Sequence, residues 1–353
     1  MAQKYTIDTD AALAPCLSCV GKVFIVTGAN VGIGYHTAKH LALLGGHVVL
    51  GCRSNVKAAA AIRQIETECT KTTTQGSVSY LPLDLSSMES VQRFQVSFQQ
   101  RHARLDAIVC SAGINSDSGG PDADVFFVNF TAHYYLVTLL MNVLRKTGTP
   151  TSPSRVVTLS SAMHVTIPSL RGAAGNGPTV RWDDASSLSS YSMSKLGLHL
   201  LANHITSNGS SIVVGVAVNP GAVNSSIWRG SNSSMQWVAS HVFLTSEQGS
   251  YPSVYAAVSP TIVVATREEN KRLRLYVTPY IPVCGVCIRR APFSWCRRWL
   301  VLLSNVGEAV FGRCLYGRAR FGETSAVAMD ELEAERLFKF AAEEVARRER
   351  CKQ

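Results

Sequence analysis

Charge is scarce in these 353 residues: 16% are Asp, Glu, Lys or Arg, against roughly 25% in an average soluble domain. Long polar and low-complexity runs are absent and 46% of the chain is hydrophobic, which excludes a largely disordered protein. No apolar stretch approaches the ~18–20 uncharged residues of a spanning helix, which argues against a polytopic membrane protein. The first ten residues, MAQKYTIDTD, hold two acids and no apolar segment. No secretory signal is therefore expected, and the chain reads as intracellular, cytoplasmic or peripherally membrane-associated. The ten cysteines are accordingly expected as reduced thiols. Cys16–Cys19 and Cys284–Cys287 have the spacing of half zinc sites but lie far apart, so no metal is expected. His36, His40, His133, His199 and His204 fall on predicted helices as packing or surface positions.

The net charge of +10 is unevenly spread. Residues 261–320 hold 11 basic against 3 acidic side chains, whereas residues 1–260 hold 17 against 13. Basicity confined to one segment, with no accompanying motif, argues against a nucleic-acid partner. In that segment Arg289, Arg290, Arg297, Arg298 and Arg313 interleave with Trp295, Trp299 and a Leu/Val run. Two readings stay open for it: a peripheral membrane contact through 281–320, or a basic surface around a substrate lid.

What is present is a rhythm. Short β-branched runs at Val23–Thr27, His47–Gly51, Ser77–Pro82, Leu105–Cys110, Arg155–Ser160 and Ile212–Val218 alternate with segments of helical period. Examples are Ile33, Thr37, Leu41 and Leu44, then Phe126, Phe130, Tyr134 and Val137. Strict alternation means βαβ crossovers and a parallel sheet covered on both faces. The fold class is therefore α/β: a Rossmann-type doubly wound sheet in three layers, a single domain with a C-terminal insertion. The expected divisions are an N-terminal extension (1–20), a nucleotide-binding domain (21–260), the basic, apolar insertion or lid (261–320) and a C-terminal helix (321–353). Residues 165–190, rich in Gly, Pro and Ser, read as a long functional loop. Further helices are expected at Glu247–Val258 and Asp330–Arg348.

Gly28, Asn30, Gly32, Ile33 and Gly34 lie where the first strand turns into the first helix. Glycines there let backbone approach a pyrophosphate, and the helix N-terminus supplies N–H donors. The second strand ends Gly51-Cys52-Arg53, with no acid to hold a ribose 2′-hydroxyl. A basic residue at that point favours a 2′-phosphate, hence NADP(H) over NAD(H); the alternative is that Arg53 is solvated surface charge. Tyr191 and Lys195, four apart, share a helical face. An ammonium beside a phenol lowers its pKa towards the useful range for proton transfer.

Together these segments resemble the short-chain dehydrogenase/reductase family, and within it the retinol-dehydrogenase-like branch. The likeness covers roughly residues 20–260 and rests on Thr27-Gly28-x-x-x-Gly32-Ile-Gly34, Asp84-Leu85, Ser111-Ala112-Gly113, Asn129, Ser160-Ser161, Tyr191-x-x-Ser194-Lys195 and Asn219-Pro220-Gly221. The resemblance implies that Tyr191 is the general acid/base and that Lys195 holds the nicotinamide ribose. By the same likeness Ser161 bonds the substrate oxygen and Asn129 holds a relay water. It places Asp84 and Leu85 by the adenine, Ser111, Ala112 and Gly113 along the cofactor, and Pro220 and Gly221 by the nicotinamide. Ser111 stands where the family usually has Asn, so one side-chain hydrogen bond is expected to differ. The activity implied is NADP(H)-dependent interconversion of an alcohol and a carbonyl on a lipophilic substrate, such as a retinoid, steroid or other apolar aldehyde or ketone. The family's habit of forming dimers or tetramers makes a homo-oligomer compatible. A nucleotide-binding regulatory or scaffold protein of the same fold, without turnover, is the alternative.

Overall fold

A computed structural model describes residues 18–72, 74, 76–115, 124–166, 187–208, 211–225, 233, 237, 240, 243–260, 276–279, 319–321 and 331–350. The basic cluster from Arg289 to Arg313, the cysteine pair at 284 and 287, Cys16 and most of the loop expected at 165–190 lie outside these residues.

Six strands follow the order read from the sequence: β1 (Val23–Thr27), β2 (His47–Cys52), β3 (Ser77–Pro82), β4 (Ala107–Cys110), β5 (Ser154–Leu159) and β6 (Val213–Val218). Two more, β7 (Tyr276–Pro279) and β8 (Ala319–Phe321), extend the same sheet to the order β3-β2-β1-β4-β5-β6-β7-β8. All neighbours are parallel except β7 and β8, which pair antiparallel. The segment expected as an insertion therefore contributes, with Phe321 just beyond it, the last two strands at one edge of the sheet.

The helices are α1 (Gly32–Leu43), α2 (Asn55–Cys69), α3 (Met88–Arg101), α4 (Ala132–Thr147), α5 (Ser187–Asn208), α6 (Ser246–Val258) and α7 (Glu331–Arg350). Alternate strand residues feed two cores. Phe24, Val26, Val48, Leu50, Val109 and Val157 pack under α1, α2 and α6. Ile25, Val49, Ile108 and Val156 pack under α3, α4, α5 and α7. Burial on both faces is why these strands read as continuous apolar runs. Contrary to the sequence expectation, one segment, Phe127–Thr147, is long and apolar enough to cross a membrane; 61% of its most apolar 18-residue window is buried inside this protein, which accounts for its composition.

The C-terminal helix is part of the domain. Leu337, Phe338, Ala341 and Val345 are buried on one side of α7. Phe338 stacks on Tyr134 with centroids 5.5 Å apart, and the Arg348 guanidinium lies 3.5 Å from the centre of the Phe127 ring. Truncating fully buried Leu337 to Ala is expected to lower the unfolding free energy by about 3 kcal/mol. Urea denaturation checks this: a midpoint that does not move would make α7 an independent appendage.

Candidate active site

The C-terminal ends of β1, β4 and β5 and the N-terminal part of α5 converge on one region. At the end of β1, Gly28 has φ +66° and Gly32 φ +63°, both in the left-handed region that glycine adopts freely. A Cβ on Gly28 would stand 2.9 Å from Ala112 Cα, and one on Gly34 would stand 2.6 Å from the Gly28 carbonyl oxygen. The glycines thus let the turn close on the Ser111–Ala112 bend and let α1 start against the turn. Helix α1 is also left open at its head. Ser54, Ser87 and Thr245 cap α2, α3 and α6, whereas α1 begins after Val31 with no side-chain cap and no acid in its first turn. Unsatisfied N–H groups beside a glycine turn fit a dinucleotide pyrophosphate. Ile33, by contrast, packs under Val223 and Leu244, and Asn30 is part-exposed on the turn.

A buried relay supports this turn from beneath. The Asn129 carbonyl only accepts, so the His133 Nδ1 that contacts it at 2.8 Å is the protonated nitrogen. Burial pushes His133 down to about 4, so the ring is neutral and Nε2 accepts from the Thr27 hydroxyl at 2.9 Å. Thr27 Oγ1 then accepts from the backbone N–H groups of Ser111 and Ala112, both at 3.0 Å. The sequence marked His133 only as a packing or surface histidine; its one legible signal was a place four residues after Asn129. Thr27→Val strands the Ala112 N–H and the histidine, while the Ser111 N–H keeps Val109 O at 3.0 Å. An unfolding free energy lower by about 2–3 kcal/mol is expected, read as a lower urea midpoint at unchanged slope.

Asn129 does not lie in a regular helix, as its spacing predicted, but in a π-helical turn, Phe127–Thr131, that leads into α4. Such turns re-aim side chains at functional sites. Its amide is committed: Oδ1 accepts from Ile114 N–H at 2.8 Å, and Nδ2 donates to Ile114 O at 2.8 Å and to Ser194 Oγ at 3.2 Å. A Cβ on Gly113 would be 3.3 Å from Asn129 Oδ1 and 3.6 Å from Lys195 Nζ, so Gly113 lies between these two side chains.

Helix α5 starts at Ser187, one turn before Tyr191. It is pinned to β5 by Ser160 Oγ donating to Lys195 O and Thr158 Oγ1 donating to Leu198 O, each 2.8 Å. This aims Tyr191 and Lys195 at the end of β5, where Ser161 waits. The Tyr191 side chain is part-exposed, and its hydroxyl is hydrogen-bonded to Ser161, whose Oγ also accepts from Met163 N–H at 3.2 Å. Lys195 is buried; its Nζ donates to Leu159 O at 2.8 Å and lies 5.4 Å from the Tyr191 ring centroid.

The electrostatics differ from the sequence expectation. Burial pushes the Tyr191 phenol up to about 12, opposed by the Ser161 hydrogen bond, while burial holds Lys195 down to about 8. The ammonium that was to acidify the phenol is aimed at a backbone carbonyl, and desolvation works against both charged forms.

The remaining residues sit along the same edge. Arg53 is exposed just past β2. Asp84 Oδ1 accepts from Ser86 N–H at 3.0 Å and Ser86 Oγ at 2.7 Å, while Leu85 is buried in the core. Pro220 is buried, and Gly221, with φ +81°, donates its N–H to Asn219 Oδ1 at 3.0 Å.

Residues 22–170 match the sequence pattern of the short chain dehydrogenase family. Polyprenol dehydrogenase of Homo sapiens is 32% identical over 260 residues, which cover 68% of this chain and 74% of that one. Retinol dehydrogenase 13 of Homo sapiens is 31% identical over 260 residues, covering 68% and 72%. Among solved structures, a Pseudomonas aeruginosa RhlG/NADP active-site complex superposes with a TM-score of 0.54 at 22% identity, over 69% of this chain and 92% of that one. The chain belongs to the short-chain dehydrogenase/reductase family. It is accordingly an oxidoreductase acting on CH–OH groups with a nicotinamide cofactor.

Proposed function

We propose that this enzyme interconverts an alcohol and a carbonyl on a lipophilic, retinoid- or polyprenol-like substrate, with NADP(H) preferred over NAD(H) and Tyr191 as general acid/base. The observation that carries the reading is the hydrogen-bonded Tyr191–Ser161 hydroxyl pair, with Lys195 one helical turn beyond the tyrosine. The names of the two relatives, both dehydrogenases of long apolar alcohols, support the substrate class.

When bound, the nicotinamide supplies or accepts the hydride. The protein's part is position and protons. Gly28, Gly32 and the open head of α1 hold the pyrophosphate, and Asp84, Leu85, Ser111, Ala112, Gly113, Pro220 and Gly221 border the rest of the dinucleotide. Ser161 Oγ holds the substrate oxygen. Tyr191 Oη, kept protonated by burial, donates its proton to that oxygen during reduction and takes one back during oxidation. Lys195 holds the ribose and, with a water at Asn129, restores the tyrosine's proton.

Arg53 is the basis of the cofactor preference. A charge-assisted pair with a 2′-phosphate is worth about 1.5–3 kcal/mol. Arg53→Asp is therefore expected to raise KM for NADPH by about 10–100-fold while sparing NADH. Steady-state kinetics with both nucleotides check this, and an unchanged ratio would return Arg53 to solvated surface charge. The reading as a whole is tested by NADPH consumption with a panel of apolar aldehydes and ketones. Nucleotide binding without turnover on any of them would favour a regulatory protein of the same fold.

A further inference from the structure

Helix α1 carries a second constellation where it meets α6. His36 and His40 stand one turn apart on α1, and Glu247 lies in the first turn of α6. His36 Nδ1 is 3.8 Å and His40 Nε2 3.5 Å from the same carboxylate oxygen, Glu247 Oε1. The three ligand atoms all lie within 4.8 Å of one another. Both nitrogens are buried, and neither has a hydrogen-bond partner among the described residues. Buried polar atoms are ordinarily satisfied, so two adjacent orphans call for an explanation.

We propose that His36, His40 and Glu247 form a three-ligand site for a divalent transition-metal ion of the zinc type, with a fourth position open to water. Ligands on a tetrahedral ion with bonds of about 2.0–2.1 Å stand about 3.3 Å apart. The two measured nitrogen–oxygen separations need to shorten by only a few tenths of an ångström. Two imidazoles with one carboxylate favour zinc, copper or nickel over magnesium or calcium, which take oxygen ligands. A neutral imidazole offers the lone pair of one ring nitrogen, and here His36 Nδ1 and His40 Nε2 both face the same carboxylate oxygen. A cleft of about 600 Å³ beside α1 and α2, lined by Tyr35, Lys39, Arg63 and Glu68 among others, reaches His36 on one side of the cluster.

A competitor already sits at the site. Lys39 Nζ donates to Glu247 Oε1 at 2.6 Å. Its long, flexible stem can swing out towards solvent, and an incoming ion takes the carboxylate oxygen that it vacates. Once bound, the ion staples α1 to α6. Ser246, next to Glu247, donates to Asn224 O at 3.1 Å, and Asn224 N–H donates to Leu244 O at 2.8 Å. The staple thus joins the helix that opens the nucleotide turn to the segment following Gly221. Metal binding, not catalysis, is its immediate consequence, so the site stands independently of the reading of Tyr191.

The test uses the full chain, purified with a chelator under reducing conditions and titrated with Co²⁺ and Zn²⁺. One Co²⁺ per chain is expected, with visible d–d bands and no thiolate-to-cobalt charge-transfer absorption, which separates this site from any cysteine site. His40→Ala and Glu247→Gln are each expected to weaken Zn²⁺ binding at least about tenfold, as loss of one of three ligands should. Lys39→Met is expected to tighten it severalfold by removing the competing cation. Zn²⁺ is expected to raise the Tm of the parent protein and not that of Glu247→Gln. Glu247 is near the surface, so that variant carries the test if the buried His40→Ala chain misfolds. No stoichiometric binding, a thiolate band, or affinity unchanged in both ligand variants would overturn the proposal.

Discussion

Tyr191→Phe is expected to lower kcat for carbonyl reduction by about 10²–10⁴-fold, while the dissociation constant for NADPH stays within about twofold. The change removes one oxygen, the one hydrogen-bonded to Ser161. The ring and its place beside Lys195 remain, so under the proposed function, in which Lys195 and the glycine turn hold the nucleotide, binding is not disturbed. Because burial pushes this phenol up to about 12, the parent enzyme holds its acid protonated throughout neutral pH, and reduction is expected to be nearly flat there. Alcohol oxidation needs the phenolate instead, so its rate is expected to climb from about pH 7 upward. Stopped-flow hydride transfer in both directions, with NADPH binding followed by fluorescence, measures each quantity. Equal loss of binding and turnover would mean that Tyr191 supports the fold rather than the proton transfer.

Gly28→Ala has the second large expected effect, at the other end of the site. The left-handed φ of +66° costs an alanine roughly 1–2 kcal/mol. Its Cβ also meets Ala112 Cα at 2.9 Å, Ala112 Cβ at 3.1 Å and Ala112 N at 3.3 Å. These are atoms of a backbone bend that Thr27 holds in place, so they cannot swing aside as a side-chain tip would. Overpacking adds roughly 1–3 kcal/mol. The bend must move, and NADPH affinity is expected to fall by at least about tenfold together with the urea midpoint. Gly32→Ala is the matched comparison. Its φ is +63°, yet the nearest atom to an added Cβ is Ser246 Oγ at 3.8 Å. It is expected to cost only the left-handed strain, and an equal effect of the two substitutions would mean that the contact with Ala112 is immaterial.

How far the chain announces itself can be judged residue by residue. Val23–Thr27 and His47–Cys52 are apolar throughout because both faces of a parallel sheet are covered, and that pattern is visible without coordinates. Gly28, Gly32 and Gly34 are visible because no other residue type takes a positive φ so freely, as at Gly28 and Gly32, or allows so close a backbone approach, as at Gly28 and Gly34. Tyr191 and Lys195 are visible because a helix repeats its face every four residues. Local chemistry of this kind is written in short spacings. The edge strands β7 and β8 were not legible: Tyr276–Pro279 and Ala319–Phe321 are too short to show a period, and their pairing is a long-range event.

Environment was equally hidden. The four-residue spacing of Tyr191 and Lys195 allowed an ammonium to acidify a phenol, but only packing decided that Lys195 would point at Leu159 O and that desolvation would prevail. Asn129 and His133 shared a predicted helix; the π-helical turn and the contact with Thr27, 106 residues away, belong to the tertiary structure. His36 and His40 were a pair of helical histidines until α6 brought Glu247 against them from more than 200 positions along the chain. The amino-acid order alone was enough for the family and for the succession of the six central strands along the chain. Charge states, hydrogen-bond partners and the His–Glu cluster depend on distances and burial between segments remote in sequence, and those exist only once the sheet and its helices have closed around them.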